Sequence, residues 1–209
     1  LDQPLRVILT DVYADGKGVG ARGKIIQGFL EKGERIVVLP IGDEATISHL
    51  QHLQALPEDV PPERHHFAAV GETVDLILSG IDSVRVSAGS LLSRPNLNAR
   101  PPIRRKCQAK IVVMDDLTVP IIRGAQTLFH IHSLDIPAVL TKLVSTQKRN
   151  STQIKERPRA ITSASNAVVE ITLSASICME PFSECRALGR FVLRRAGHTI
   201  AVGIIEEVL

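Results

Sequence analysis

The sequence contains few aromatic residues. Among 209 residues there are five Phe, one Tyr and no Trp, so aromatic side chains make up 3% of the chain, although 44% of it is hydrophobic. A folded core must therefore be built from Val, Ile, Leu and Ala, and a composition rich in branched residues favours β-structure. The scarcity of aromatic rings also argues against a surface on which unpaired nucleic-acid bases stack.

Cysteines and long apolar runs are also scarce. Cys107, Cys178 and Cys185 are odd in number and show no Cys-x-x-Cys spacing, which argues against a disulfide framework or a thiolate zinc site and is typical of a reducing cytosol. No segment approaches the roughly 18 consecutive apolar residues of a membrane span, and no charged-then-apolar leader opens the chain. We therefore expect a cytoplasmic protein that does not bind a membrane, with its cysteines serving as small apolar residues of the core or of the surface.

Phosphate-binding motifs are missing as well. The two Gly-Lys pairs, Gly16-Lys17 and Gly23-Lys24, are followed by Gly18 and Ile25, whereas a P-loop needs Ser or Thr after the Lys to bind Mg²⁺. No Asn-Lys-x-Asp segment that could read a guanine base is present. We predict no catalytic, cofactor-binding or metal-binding residue in this chain. Because it begins at Leu1 rather than Met, we also expect it to be a piece of a longer protein.

Short apolar segments with period-two alternation recur along most of the chain. They are separated by Gly, Pro and Asn clusters at roughly 8–12-residue spacing, a pattern that indicates an all-β sandwich or barrel. The clearest segments are 5–9, 24–30, 35–39, 74–78, 107–114, 127–131 and 168–173. The proline-rich stretch 94–102 is the best break between them, because prolines cannot donate to a strand ladder. We place the domain boundary there.

Four glycines are spaced five residues apart in the first half of the chain: Gly18, Gly23, Gly28 and Gly33. An odd spacing would place them on alternating faces of one straight strand, so we expect them to mark turns and bends of curved strands instead. Glycine in a strand usually accompanies a bulge, a corner or a close approach of the backbone.

The most specific segment is the C-terminal run 188–203. Its apolar residues alternate with residues suited to the opposite face, and Ala196-Gly197 supplies the small residues of a tight reversal, which predicts a β-hairpin. The apolar residues that this alternation places on one face are Phe191, Leu193, Ile200 and Val202. We expect Phe191 and Leu193 to fill a core.

The same run carries a family resemblance. Its pattern, Gly-Arg-Phe-x-x-Arg followed by Thr-Ile-Ala-x-Gly, resembles the closing hairpin of EF-Tu/elongation factor 1-alpha-like translational GTPases. Segment 20–36 is similar to the early strands of the second domain in that family, and the chain from Cys107 onward to the third. The resemblance implies two consecutive β-barrels, domain 2 at 1–96 and domain 3 at 103–209. GTP and Mg²⁺ would bind an N-terminal GTPase domain absent from this chain, which would not itself be an enzyme.

Within the family, several positions are similar to the ribosome-rescue GTPase that partners the tRNA-mimicking protein Pelota in no-go decay. Arg195 stands where elongation factor 1-alpha and the class II release factor usually have an acidic residue, and segments 119–124 and 138–145 also resemble the rescue branch. Segments 57–66 and 160–165 depart from the family pattern. The same domains of a class II release factor, or of an elongation factor 1-alpha carrying aminoacyl-tRNA, are the alternatives.

Arginine-rich segments supply the candidate binding residues. In the release-factor branch the segment corresponding to 189–195 helps to bind a tRNA-shaped protein, so the resemblance implies partner binding by Arg190, Arg194 and Arg195. The formal charge of +3 is weak evidence for nucleic acid, and a charge run is often only a solvated face. Contact with ribosomal RNA, through phosphates and RNA shape, is the competing interpretation. The candidates for that contact are Arg104, Arg105, Lys148, Arg149, Lys155, Arg157 and Arg159.

Histidines supply one further alternative. His130 and His132 lie two apart in an expected strand, so their side chains would face the same way, as a metal site requires. No acidic or thiolate partner is spaced to complete that site, and a polar packing role is more common. A free-standing metal-dependent hydrolase is the third hypothesis. The histidines that flank the loop 57–62 are expected to be solvated loop residues: His49, His52, His65 and His66.

Overall fold

The computed structural model describes residues 3–209 and divides the chain into two compact units. One unit ends at Arg100, and the other spans Pro101–Leu209. Strands dominate both units, and the single α-helix among residues 3–209, α1 (Arg186–Gly189), is four residues long. The prediction of an all-β chain is confirmed.

The first unit is a closed barrel of six antiparallel strands, joined in the order β1-β2-β7-β5-β4-β8. Its strands are β1 (Arg6–Asp15), β2 (Gly18–Gln27), β3 (Phe29–Glu31), β4 (Arg35–Leu39), β5 (Asp43–His52), β6 (Phe67–Ala69), β7 (Thr73–Ser79) and β8 (Leu91–Ser93). Strands β3 and β6 form a separate two-stranded ladder. Short 3₁₀ turns occur at Pro62–His66, Ser83–Arg85 and Leu97–Ala99.

Strict alternation along β7 shows how the first barrel fills its core. Val74, Leu76 and Leu78 are fully buried, whereas the residues between them are partly exposed. This is the period-two pattern of a strand with one face inside the barrel. Arg6 is also buried, and its guanidinium donates to the carbonyl oxygen of Ala99 at 2.5 Å, which ties β1 to the end of the unit.

The evenly spaced glycines lie at turns and at close approaches, as predicted. Gly28 and Gly33 have φ of +73° and +86° at the two ends of β3, a backbone region that other residues rarely adopt. Gly23 lies inside β2, where a Cβ atom would stand 2.7 Å from the side chain of Val7 on β1. The curvature of this barrel therefore depends on glycine at specific points.

The second unit is also a closed six-stranded barrel, in which β11-β16-β17-β9-β15-β12 follow one another and β12 pairs back with β11. Its strands are β9 (Ile103–Val113), β10 (Ile121–Ile122), β11 (Gln126–Ile131), β12 (Leu134–Lys148), β13 (Ile154–Glu156), β14 (Ala160–Ile161), β15 (Ser165–Cys178), β16 (Arg190–Arg195) and β17 (His198–Val208). Strand β13 extends the sheet beside β12, and β10 pairs with β14. The predicted pair of β-barrels is confirmed.

Strands β16 and β17 form the predicted C-terminal hairpin. Its turn residues, Ala196 and Gly197, have φ of +50° and +77°, which is the combination that a two-residue type I′ turn requires. Phe191 and Leu193 are buried, and the Phe191 ring stacks on Phe129 with 4.4 Å between the ring centroids. The predicted core role of these two residues is confirmed.

The alternation expected beyond the turn is wrong at Val202. Leu193 pairs with Ala201 but Arg194 pairs with Thr199, so Ile200 is the extra residue of a β-bulge. The bulge shifts the pleat by one residue, so that Ala201 points inward with Leu193 and Val202 is 39% exposed on the outer face. The bulge could not be predicted from the sequence, because Ile200, Ala201 and Val202 are all apolar and the alternation does not show which of them face the core.

No helix within residues 3–209 is long and apolar enough to cross a membrane. All three cysteines are buried. Burial raises the pKa of the Cys107 thiol to about 12, because the thiolate would lose its hydration in the barrel core.

Candidate protein-binding surface

The outer face of the second barrel carries a groove of about 610 Å³, which we call the apolar groove. It crosses six neighbouring strands, from β16 through β17, β9, β15 and β12 to β13. Its lining residues are Lys110, Ile111, Val112, Ser145, Thr146, Gln147, Ile154, Asn166, Ala167, Val168, Arg190, Val202, Gly203 and Ile204. Because the groove runs over paired strands, its floor is held by the sheet rather than by loops.

The apolar groove exposes apolar side chains at positions where a solvated sheet face ordinarily has polar residues. Val112 on β9 and Val202 on β17 are 40% and 39% exposed, and Ile154 on β13 is 58% exposed. Val112 pairs directly with Val202, while its neighbours Ile111 and Val113 point into the core. An exposed apolar patch with a polar rim is typical of a surface that another molecule covers.

Arg190 lies at the rim of the apolar groove and is the first residue of β16. It pairs across the hairpin with Ile204, and its guanidinium is exposed and forms no hydrogen bond or ion pair within residues 3–209. Lys110, the other cation of the rim, lies 2.9 Å from the Glu206 carboxylate, which raises the pKa of Lys110 through a hydrogen bond and its charge. Arg190 therefore supplies the unneutralised charge of the groove.

Arg194 and Arg195 lie at the other end of β16, where a second cavity of about 350 Å³ lies beside the hairpin turn and β11. The Arg194 guanidinium donates to the carbonyl oxygen of Gly197 at 2.9 Å, and that of Arg195 donates to the carbonyl oxygen of Val119 at 2.6 Å. Each arginine carries five N–H donors, so most donors on both side chains are still available to a ligand. The structure thus places Arg190 at one cavity and Arg194 with Arg195 at another.

The seven residues predicted to contact RNA do not form one patch with equal access. Lys148 donates to the carbonyl oxygen of Ser163 at 2.6 Å, and Arg149 lies 2.8 Å from the Asp115 carboxylate. Arg104 donates to the carbonyl oxygen of its own neighbour, Ile103. Exposed side chains without a hydrogen bond or ion pair in the described part of the chain are those of Arg105, Lys155, Arg157 and Arg159.

The two histidines of the metal-hydrolase hypothesis do not face the same way. His130 lies on β11 with its Nδ1 atom 2.6 Å from the Asp135 carboxylate, whereas β11 ends at Ile131 and His132 adopts φ of +41° in the following turn. Burial, and then the charge of His130, lower the pKa of His132 to about 4. That expected geometry is wrong because the strand ends between the two residues. Among residues 3–209, no three His, Cys, Asp or Glu side chains are grouped so that they could hold a metal ion.

His52 is also not the solvated loop residue predicted from the sequence. It ends β5, its side chain is 7% exposed, and its Nδ1 atom lies 3.7 Å from the Glu72 carboxylate. Arg64, from the segment 57–66, pairs with the same carboxylate and covers the Phe67 ring at 4.7 Å. Burial opposes ionisation of Glu72, but hydrogen bonds from the Ala69 backbone and Arg64 outweigh it and lower the pKa of Glu72. The polar segment 57–66 is therefore anchored to the barrel.

The residues of the first barrel do not fit a GTP–Mg²⁺ site. Gly23-Lys24 lies inside strand β2, with no loop and helix following it. Lys17 lies in the turn between β1 and β2, where its backbone N–H donates to the Asp15 carboxylate at 2.8 Å. A phosphate would meet that acidic group instead of free N–H donors, so neither Gly-Lys pair forms a phosphate cradle.

Comparison with known proteins defines the class to which these barrels belong. Residues 106–206 match the family described as GTP-eEF1A C-terminal domain-like. Residues 106–206 therefore belong to that family, and the chain as a whole is similar to the C-terminal part of EF1A-like translational GTPases.

Particular relatives cover the whole chain. It is 32% identical over 210 residues to protein HBS1 of Drosophila melanogaster, covering 30% of that protein, and 32% identical over 215 residues to elongation factor 1-alpha of Pyrobaculum aerophilum, covering 45% of it. The crystal structure of Sup35 complexed with GDP has the same fold, with a TM-score of 0.85 at 23% identity over all of this chain and 48% of the Sup35 chain. The chain therefore spans less than half the length of these relatives.

Proposed function

We propose that this chain is the partner- and ribosome-binding half of a translational GTPase that delivers a Pelota-like, tRNA-mimicking protein to stalled ribosomes for rescue and mRNA quality control. The observation that carries the proposal is the apolar groove of the second barrel with the unpaired Arg190 at its rim. In this proposal the barrels hold the partner, and Arg194 and Arg195 extend the contact at the hairpin turn.

The chemistry of the apolar groove suits a protein partner. Protein interfaces combine a buried apolar centre with a polar rim, and arginine is enriched among the residues that contribute most to affinity. Here Val112 and Val202 supply the apolar centre, and Arg190 supplies a guanidinium that can pair with a carboxylate through two parallel hydrogen bonds. Such a surface selects a partner that presents apolar side chains next to an acidic one.

The choice of the rescue branch is supported by HBS1 and by Arg195. All of this chain matches HBS1 at 32% identity, over 30% of the length of HBS1. Arg195 fixes the backbone at Val119 and reaches the cavity beside the hairpin turn, so an arginine at this position changes both the charge and the shape offered to a partner. A partner that presents a basic group to an acidic residue at this position would instead face the positive charge of Arg195, which repels it.

An elongation-factor function, with aminoacyl-tRNA as the cargo, is the second candidate, because elongation factor 1-alpha of Pyrobaculum aerophilum is equally identical to this chain. A class II release factor is the third. In all three cases GTP and Mg²⁺ would bind to a GTPase domain of the parent protein. Delivery of the cargo to the ribosome would take place in the cytoplasm.

A binding comparison tests the proposal. Isothermal titration of the 209-residue chain with Pelota, with the class I release factor and with aminoacyl-tRNA is expected to give measurable affinity for Pelota and at least tenfold weaker binding to the other two. Tighter binding to the class I release factor would refute the proposal in favour of a class II release factor, and tighter binding to aminoacyl-tRNA would refute it in favour of an elongation factor.

Variants of the apolar groove test the site itself. Val202→Asp places a charge in the groove, and Arg190→Glu reverses its free charge, so each is expected to weaken Pelota binding by tenfold or more. Val84→Asp is the matched control, because Val84 is 84% exposed and lies in the first barrel. Unchanged affinity of both groove variants would refute the groove as the partner site.

A further inference from the structure

We infer that Lys155, Arg157 and Arg159 form a contact surface for the phosphate backbone of RNA, which we call the cationic turn. It deepens the proposed function, in which the chain works on the ribosome. An RNA-binding measurement does not require the protein partner. RNA binding by the cationic turn and partner binding by the apolar groove can therefore be refuted independently of each other.

The three side chains differ from most other cations within residues 3–209, which donate to a backbone carbonyl oxygen or pair with a carboxylate. Arg35, Arg85 and Lys110 pair with Glu44, Asp43 and Glu206, respectively. Lys155, Arg157 and Arg159 are exposed and have no hydrogen bond or ion pair from their side chains within residues 3–209. Glu156 is the only acidic residue between them, so the segment keeps a surplus of two positive charges.

The backbone of the cationic turn is held in a defined shape. Arg157 adopts φ of +47°, and its N–H donates to the carbonyl oxygen of Val144 at 2.9 Å. Pro158, the next residue, is buried, whereas both of its neighbours are exposed. A non-glycine residue in the left-handed region persists only where the surrounding structure holds it. Arg157 and Arg159 therefore project from an anchored turn instead of a free loop.

The composition of the cationic turn favours RNA phosphates over a protein partner. Protein interfaces need apolar or aromatic anchors at their centre. Segment 155–159 exposes no apolar side chain, since its one apolar residue, Pro158, is buried, and no aromatic residue occurs between Phe129 and Phe182. Phosphate contacts require only exposed, unpaired cations in fixed positions. Without aromatic rings the surface cannot stack bases, so recognition would depend on charge and backbone shape, as is common for double-stranded RNA.

Salt dependence of RNA binding tests the inference. A triple variant, Lys155→Gln, Arg157→Asn and Arg159→Gln, removes three charges, and Asn suits the left-handed backbone at 157. Binding to a fluorescent RNA duplex of about 16 base pairs is followed by anisotropy between 50 and 200 mM KCl. Three lost phosphate contacts reduce the slope of log K against log salt by about 2.7, so the salt increase should weaken the unsubstituted chain roughly 40-fold more than the variant.

A charge-matched control separates a local surface from net charge. The variant Arg22→Gln, Arg35→Gln and Arg85→Gln also removes three positive charges, but from cations that are already paired and lie outside the apolar groove. It is expected to keep the slope of the unsubstituted chain. Equal slopes for the cationic-turn variant and the unsubstituted chain, or equal loss in the control, would overturn the inference. Competition by poly-glutamate as strong as that by unlabelled RNA would overturn the assignment to RNA.

Discussion

Replacing Phe191 by Ala removes the largest buried side chain that the hairpin contributes to the core of the second barrel. The Phe191 side chain is 1% exposed, and its ring stacks on Phe129 with the planes inclined by 23°. Truncation of a buried Phe to Ala costs about 3–5 kcal/mol, because both transfer free energy and packing contacts are lost. Since domains of this size are stabilised by only about 5–15 kcal/mol, the second barrel would lose a large part of its free energy of unfolding.

Urea unfolding measures this loss barrel by barrel. With a slope of about 2 kcal/mol per molar urea, a loss of about 4 kcal/mol lowers the midpoint of the second barrel by about 2 M. The chain has one Tyr, Tyr13 on β1, whose fluorescence reports on the first barrel alone, while circular dichroism reports on both. The Tyr13 transition is expected to stay in place.

Val202→Ala is the matched control for Phe191→Ala. Val202 lies on the same hairpin but is 39% exposed on the outer face, so its truncation should cost less than about 1 kcal/mol. A loss below about 1 kcal/mol for Phe191→Ala, or a loss as large for Val202→Ala, would refute the assignment of inner and outer faces that the bulge produces.

Three further predictions concern buried positions of the second barrel. Gly203→Ala should destabilise it, because the new Cβ would lie 2.5 Å from the Phe191 ring and 2.9 Å from the Lys110 carbonyl oxygen; a raised or unchanged melting temperature would contradict this. Cys107 should resist a thiol reagent until the barrel unfolds, since burial raises its pKa to about 12; rapid labelling of the folded chain would show that it is accessible. The pKa of His132 is lowered to about 4, so an unfolded chain binds a proton below pH 6.5 that the folded one does not, and stability should fall between pH 6.5 and 4. His132→Asn should flatten that fall in a pH series of urea titrations, and an equally steep fall in the variant would assign it to other groups.

The strands marked by a regular alternation or by a short apolar run were predictable from the sequence, and those with an interrupted pattern were not. Segment 35–39 was predicted with the bounds that β4 has, because a run of apolar residues ends there at a turn. Strand β5 (Asp43–His52) was missed, since its polar residues and two histidines interrupt the pattern. Its identity depends on pairing with β4 and β7, which a single segment does not reveal.

The candidate site shows the same division. The hairpin and its arginines could be located from the motif, but not the apolar groove, because its residues come from six strands that are far apart in sequence. Val112 and Val202 meet only when β9 pairs with β17. The free state of Arg190 and the paired state of Arg149 likewise depend on contacts that charge patterns do not predict.

The bulge at Ile200 determines which residues of β17 face the core and which face the apolar groove. If β17 continued the alternation of β16 without it, Val202 would point into the barrel and Ala201 outward, so the core would gain a valine and the apolar groove would lose one. Gly203 would then leave its place under the Phe191 ring, which has no room for a Cβ atom. The same extra residue therefore closes the core around Phe191 and turns Val202 toward a partner, so a variant that removes the bulge should lose stability and partner binding together.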